Sequence, residues 1–193
     1  MKVLVIGLCG ERDVNGLRFH EFVKPVQEAL PCKSRALHFS KVDALALKGI
    51  SGIVLSGTAL MDNEYLAWSS PPSWFSSWEK PLLGICAGHH LLALWGGAKM
   101  VQQKKPEIGR AQVRLRATGK KDPLFKGLES PFSAYELHQN AVSLPPEFEC
   151  LAFNAQCEVQ AMRHVQKPFY GVEFHPEVLN PRVLENFAGL LFK

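Results

Sequence analysis

Two short segments of this chain carry residue types and spacings suited to nucleophilic chemistry. The first is Gly84-Ile85-Cys86-Ala87-Gly88. It ends the apolar run Pro81-Leu82-Leu83-Gly84-Ile85 and leads into His89-His90-Leu91-Leu92-Ala93-Leu94-Trp95, a helix-like stretch. A strand, a tight glycine-flanked turn and a helix form the setting of a nucleophile elbow. The glycines let the backbone turn sharply and keep side chains away from an incoming substrate. Cys86 is thereby expected at a helix N-terminus, where the dipole and the free N–H groups favour the reactive thiolate. An isolated cysteine reads better as a small buried core residue, and the glycine frame tips the reading modestly toward a nucleophile.

The second segment, Gly171-Val172-Glu173-Phe174-His175-Pro176-Glu177, shifts the balance. Phe169 to Phe174 reads as a short strand. If the chain stays extended beyond it, His175 and Glu177 are two apart and share a face. A carboxylate beside an imidazole accepts its N–H, fixes the tautomer and supports the imidazolium that forms when the ring takes a proton. Cys86 as nucleophile, His175 as base and Glu177 as orienter complete a triad whose members are distant in sequence.

These elements must be positioned by a fold, and the pattern indicates an α/β one. Val3 to Leu8 reads as a strand and Gly16 to Leu30 as one amphipathic helix, with Leu17, Phe22, Val26 and Leu30 partly on one face. Ser34 to Phe39, Ile53 to Leu55 and Leu82 to Ile85 follow as strands, and the elbow helix runs to Trp95. Such alternation predicts an open, mostly parallel sheet with helices on both faces. After Gly97 short β segments take over: Gln112 to Ala117, Ala134 to Leu137, Cys150 to Phe153, Val159 to His164 and Tyr170 to Phe174. They predict a small antiparallel portion, and Arg182 to Phe192 closes the chain as a helix. The aromatic stretch from Trp68 to Trp78 reads as a surface excursion whose rings pack locally. His20 and His38 belong to no motif and read as surface or half-buried.

The two motifs resemble those of the class I (triad) glutamine amidotransferases, in which the elbow reads roughly G-[IV]-C-x-G-x-Q and the second motif G-x-Q-F-H-P-E. The likeness runs over nearly the whole chain, which reads as one domain over 1–193. Within the family, Leu137-His138-Gln139-Asn140-Ala141-Val142-Ser143-Leu144-Pro145-Pro146-Glu147-Phe148 looks most like the glutaminase part of GMP synthase. The resemblance implies that Cys86 attacks the side-chain amide of glutamine to release glutamate and ammonia. The backbone N–H of Ala87, next to the nucleophile, is one expected oxyanion donor, and by resemblance Gly57 in the turn Ser56-Gly57-Thr58 is the other. No cofactor and no metal are required. The chain lacks a P-loop, so the resemblance implies a free-standing glutaminase subunit that hands ammonia to a separate, ATP-dependent synthetase subunit.

Three positions depart from the pattern. The family glutamine that contacts bound substrate is replaced by His90, whose imidazole lacks an amide's paired donor and acceptor. Thr58 stands where a second glycine is usual, and its β-carbon restricts the backbone. The loop Cys9-Gly10-Glu11-Arg12-Asp13 lacks a Gly-Gly-Gln segment. His90, Leu137 and His138 are expected to line the substrate pocket, with His138 in a turn. The departures leave open a γ-glutamyl peptidase or hydrolase with the same triad, or a non-catalytic regulatory homologue. A metal site from Cys86, His89, His90 and His138 is disfavoured, because adjacent helical residues point about 100° apart.

Composition agrees with an ordinary globular enzyme. The 193-residue chain is 47% hydrophobic and 21% charged. A net charge of +4 is too mild to argue for nucleic acid. The five cysteines are scattered, without C-x-x-C, which points to a reducing, cytoplasmic setting. The N-terminal apolar run is too short for a signal peptide, and no segment has the length and apolarity to span a membrane.

Overall fold

The computed structural model describes residues 1–10 and 16–192. Glu11, Arg12 and Asp13, part of the loop that departs from the family pattern, lie outside them. The chain runs β1 (Lys2–Gly7), α1 (Leu17–Phe22), α2 (Lys24–Ala29), β2 (Lys33–His38), β3 (Gly52–Leu55), β4 (Leu82–Ile85) and α3 (Ala87–Trp95). It continues through β5 (Met100–Leu115), α4 (Ala117–Lys121), β6 (Phe132–Val142), β7 (Phe148–Phe153), β8 (Ala161–His164), β9 (Phe169–Val172), α5 (Pro176–Leu179) and α6 (Pro181–Leu190). The strands form one sheet in the order β2-β1-β3-β4-β9-β8-β7-β5-β6. The pairs from β2 to β9 are parallel, and those from β9 to β6 are antiparallel.

Side chains alternate across the parallel strands, so each strand feeds two layers. Val3, Val5, Val54, Leu83 and Ile85 face Val23, Val26, Val183, Leu184 and Phe187 of the flanking helices. Leu4, Ile6, Ile53, Leu55 and Leu82 face Leu91, Leu92 and Trp95 of α3 together with Tyr65, Trp74 and Trp78. Burying each such side chain contributes about 1.5–3 kcal/mol. Helices of 4 to 10 residues are too short to persist alone, so these layers hold them.

Several boundaries differ from those expected. The single helix expected from Gly16 to Leu30 is broken at Val23 into α1 and α2, because Pro25 removes an N–H and its ring clashes with the carbonyl four residues back. The strand expected from Gln112 is the end of a much longer β5, whose polar stretch with Lys104, Lys105 and Pro106 shows no apolar alternation. Pairing with β6 creates it, and Pro106 falls in the register shift between Gln102 and Glu107, where no ladder donor is needed. Tyr170 to Phe174 shortens to Phe169–Val172. His38 is buried rather than half-exposed, with Nε2 3.0 Å from the Cys9 carbonyl and its ring against Trp68. The Trp68 to Trp78 stretch packs locally as expected: Trp74 and Trp78 are buried and Trp68 stacks on Phe39.

Candidate active site

Three neighbouring parallel strands end at one edge of the sheet. Leu55 of β3 lies beside Gly84 of β4, and Ile85 of β4 beside Val172 of β9. The residues just past those C-terminal ends are Gly57, Cys86 and His175, so strand register alone brings the three together. Two further hydrogen bonds fix the edge: Cys86 N–H to the Val172 carbonyl at 2.9 Å and His175 N–H to the Tyr135 carbonyl at 2.8 Å.

Cys86 is the turn itself. At φ 49° and ψ −106° it is the one non-glycine residue with positive φ among the described residues. Such a conformation costs about 1–3 kcal/mol and persists only where the surroundings over-determine it. Here a Cβ at Gly84 would collide with the Gly88 carbonyl, and a Cβ at Gly88 with the Leu55 carbonyl. The glycines thus let α3 lie directly on β3 and β4, with its first-turn N–H groups at the sheet edge. Cys86 Sγ sits 3.8 Å from the Leu137 carbonyl.

His175 Nδ1 is 2.7 Å from Glu177 Oε1, and both side chains are almost wholly buried. The expected pairing is present, but its geometric basis is corrected. The chain does not stay extended from 175 to 177: Pro176 opens α5, and Glu177 lies in a helical first turn. His175 precedes that turn in an extended conformation, and the bend carries Glu177 onto its ring. Burial opposes the imidazolium, yet the Glu177 carboxylate and the Cys86 sulfur outweigh burial, and His175 titrates well above an ordinary histidine. Nε2 closes no hydrogen bond with the described residues. With Nδ1 committed to Glu177, Nε2 is the nitrogen available to exchange a proton at Cys86.

Gly57 fits between His175 and Cys86 because it has no side chain. A Cβ there would stand 2.5 Å from His175 Cε1 and 3.5 Å from Cys86 Cβ. Thr58 brings no positive-φ strain. Its hydroxyl donates to Asp62 Oδ2 at 2.8 Å, and the same oxygen accepts from Gly10 N–H at 2.8 Å. The threonine therefore tethers the Gly57 turn to the loop after β1.

A cleft at the thiol is lined by Thr58, Asp62, Asn63, Tyr65, Ala87, His90, Leu137, His138, Gln139 and Asn140, among others. A larger cavity near Arg116, Cys150 and Phe153 contains none of the triad. The three expected pocket residues, His90, Leu137 and His138, all reach the cleft. His138, however, lies in strand β6 rather than a turn, directly across from Glu107 of β5. Glu136, two residues earlier, shares its buried face.

Beneath the cleft lies a buried ionic cluster that the motifs did not single out. His138 Nε2 is 3.3 Å from Glu107 and 3.2 Å from Glu136, and its Nδ1 is 3.6 Å from Glu173. Burial works against its charge, but Glu173, Glu107 and Glu136 prevail and push His138 up to about 12. Glu173 is fully buried. Burial would raise it, but His90, His138 and His89 hold its carboxyl well below the usual range. His90 Nε2 is 2.8 Å and 3.1 Å from the two Glu173 oxygens, and His90 Nδ1 is 2.8 Å from the Tyr65 hydroxyl. Burial lowers His89 to about 4, so it is neutral. One signal for this cluster was present in the sequence: Glu173 stands where the G-x-Q-F-H-P-E pattern has glutamine, as His90 does in the elbow motif. Nothing in the sequence announces that the two replaced positions touch. Among the described residues, no group of three His, Cys, Asp or Glu side chains is arranged to hold a metal ion.

Comparison with known proteins assigns the chain to a family. The family model for class-I glutamine amidotransferases matches residues 22–187, and the chain belongs to that family. The glutamine-hydrolysing GMP synthase subunit of Thermoplasma acidophilum is 34% identical over 155 residues, 77% of this chain and 76% of that protein. The corresponding Pyrococcus abyssi subunit is 35% identical over 145 residues, 72% of this chain and 75% of that protein. A crystal structure of a GMP synthase subunit protein from T. acidophilum superposes with a TM-score of 0.81 at 29% identity, covering 100% of this chain and 94% of that one. A glutamine amidotransferase from Thermotoga maritima shares the fold, with a TM-score of 0.69 at 20% identity over 97% and 90% of the two chains. The protein is thus an enzyme of the class I glutamine amidotransferase family, homologous to the glutamine-hydrolysing subunit of GMP synthase. Among the described residues no helix is long and apolar enough to cross a membrane.

Proposed function

We propose that this chain is the glutamine-hydrolysing subunit of a two-subunit GMP synthase, with Cys86, His175 and Glu177 as its catalytic triad. Cys86 Sγ attacks the side-chain amide carbon of glutamine, and its proton passes to His175 Nε2. The tetrahedral oxyanion is met by the N–H groups of Gly57 and Ala87. The C–N bond breaks as His175 returns the proton to the leaving nitrogen, giving ammonia and a glutamyl thioester. His175 then takes a proton from water, the hydroxide adds to the thioester carbon, and the C–S bond breaks with reprotonation of sulfur. Glutamate and free Cys86 result. Glu177 holds the His175 ring in the required tautomer throughout. Ammonia goes to a separate synthetase chain, which the relatives' designation as a subunit supports, and the cysteine pattern supports a cytoplasmic setting.

The observation that carries this reading is the strained Cys86 turn seated against Gly57 and a His175–Glu177 pair at 2.7 Å. Intact-mass and peptide analysis after exposure to an electrophilic glutamine analogue tests it. Stoichiometric labelling at Cys86, blocked by excess glutamine and lost in Cys86→Ala, is expected. Labelling elsewhere, or glutamate release that survives Cys86→Ala, rules the mechanism out. One observation favours a second reading, hydrolysis of another γ-glutamyl compound: the engagement of His90 with Glu173 removes the ligand contact that the family pattern implies.

A further inference from the structure

The positive-φ turn at Cys86 persists only if its surroundings impose it, and the contacts around it show what does so. The first hydrogen bond of α3 runs from the His90 N–H to the Cys86 carbonyl at 3.0 Å. The His90 side chain reaches the residue two before His175: Nε2 lies 2.8 Å and 3.1 Å from the two oxygens of Glu173. His90 therefore grips Cys86 through its backbone and the segment leading to His175 through its ring. Glu173 is in turn a junction. His89 Nε2 approaches it at 3.5 Å from α3, and His138 Nδ1 at 3.6 Å from β6. β6 supplies the Leu137 carbonyl beside Cys86 Sγ and the Tyr135 carbonyl that accepts from the His175 N–H. One wholly buried carboxylate thus touches both elements packed around the thiol, while its own chain leads to the base.

Stability alone is a poor reason for such a group, because apolar residues of similar volume often replace a buried ionic pair at no cost. What an apolar pair lacks is direction: a hydrogen bond fixes both distance and angle. We infer that Glu173 and His90 are positioning residues for the nucleophile, and that their contact holds the Cys86 turn in its positive-φ conformation with Sγ within reach of His175. They act through Cys86, and neither carries a proton in the proposed reaction. The two positions that depart from the family motifs are then one device, a contact that ties the nucleophile's helix to the base's strand. The inference rests on the Cys86–His175 pairing proposed above and deepens it.

Alkylation of the full-length protein by iodoacetamide reads this positioning without any substrate, with peptide mass analysis separating the five cysteines. Cys157 is buried and reacts only if the fold opens, so it reports on structure within the same sample. Two double variants separate the contact from the charge. His90→Leu with Glu173→Leu removes the contact and the buried charge together. Cys86 should then react at least about tenfold more slowly while Cys157 stays protected. His90→Gln with Glu173→Gln removes the charge but keeps a donor facing an acceptor, and the Cys86 rate should stay within about threefold of the parent. Loss of the Glu173 anion by itself would favour the thiolate and speed the reaction, so the expected slowing is opposite in sign to a pure charge effect. If Cys157 reacts in the leucine pair, His90→Leu with Glu173→Gln replaces it, keeping an acceptor for His138, and the same slowing is expected. A variant without the contact that reacts within about threefold of the parent, or faster, overturns the inference, as does a glutamine pair as slow as the leucine pair. His175→Ala is read alongside: if it leaves Cys86 alkylation unchanged, the triad reading fails and this inference with it. Glutamate release is measured separately, so a wrong choice of substrate is distinguishable from a failure of positioning.

Discussion

At the level of single residues, the proposed mechanism divides labour between a base, His175, and the group that aims it, Glu177. His175 is held by one short bond to Glu177, and removing either has a different consequence. His175→Ala deletes the proton carrier and is expected to lower kcat about 10²–10⁴-fold. Glu177→Ala leaves the imidazole but frees its tautomer and orientation, with an expected loss of about 10–100-fold. Steady-state glutamate release from the two variants checks the ranking; an equal or larger loss for Glu177 would mean that it does more than orient. The His175–Glu177 contact was legible in the sequence, because the motif sets both residue types two apart, although the turn that brings them together was not. Glu173 was not singled out, although its letter departs from the pattern. Its importance comes from burial against His90 and His138, and a sequence does not show burial of one polar side chain on another.

Among the secondary-structure elements, close backbone approach decides what the elbow tolerates. A methyl at Gly88 would meet the Leu55 carbonyl of β3, and neither the helix nor the strand can yield without moving Cys86. Gly88→Ala is expected to destabilise the protein by about 1–3 kcal/mol by overpacking. The same substitution at Gly189, on α6 with open space around it, should instead stabilise by about 0.5–1 kcal/mol through helix propensity. Urea unfolding midpoints of the two variants should move in opposite directions; a shared direction would contradict the packing argument. The strand–turn–helix order at Cys86 was readable from apolar runs and glycines. The break at Val23 was readable from Pro25 in principle, but amphipathic periodicity on both sides of the proline masked it. Much of β5 was not readable, since its order comes from pairing with β6 and not from its own side chains.

For the molecule as a whole, buried His89 and Glu173 make stability fall in acid. His89 is neutral when folded, lowered to about 4 by burial, against about 6.5 for an exposed histidine. The unfolded chain therefore binds a proton first, and this contribution is present above about pH 6.5 and lost as pH falls toward 4. Glu173, held below the usual range, adds a loss below about pH 4.5 as it too is protonated. Urea midpoints of the unmodified protein should fall between pH 6.5 and 4.5, and His89→Leu should flatten that slope. An unchanged slope in the variant would show that the acid sensitivity lies elsewhere.

Residue type and short-range spacing were enough to specify the chemistry on offer. They supply a cysteine at a glycine-framed turn, a histidine and a glutamate two apart, and an alternating pattern that requires a parallel sheet. Which residues meet was settled by packing. The adjacency of β3, β4 and β9 places Gly57, Cys86 and His175 at one edge, although β5 to β8 intervene along the chain between β4 and β9. Packing also brought His90 against Glu173 and Tyr65. The physical reason is that burial and hydrogen-bond direction depend on what lies across the sheet, and no spacing along the chain encodes that.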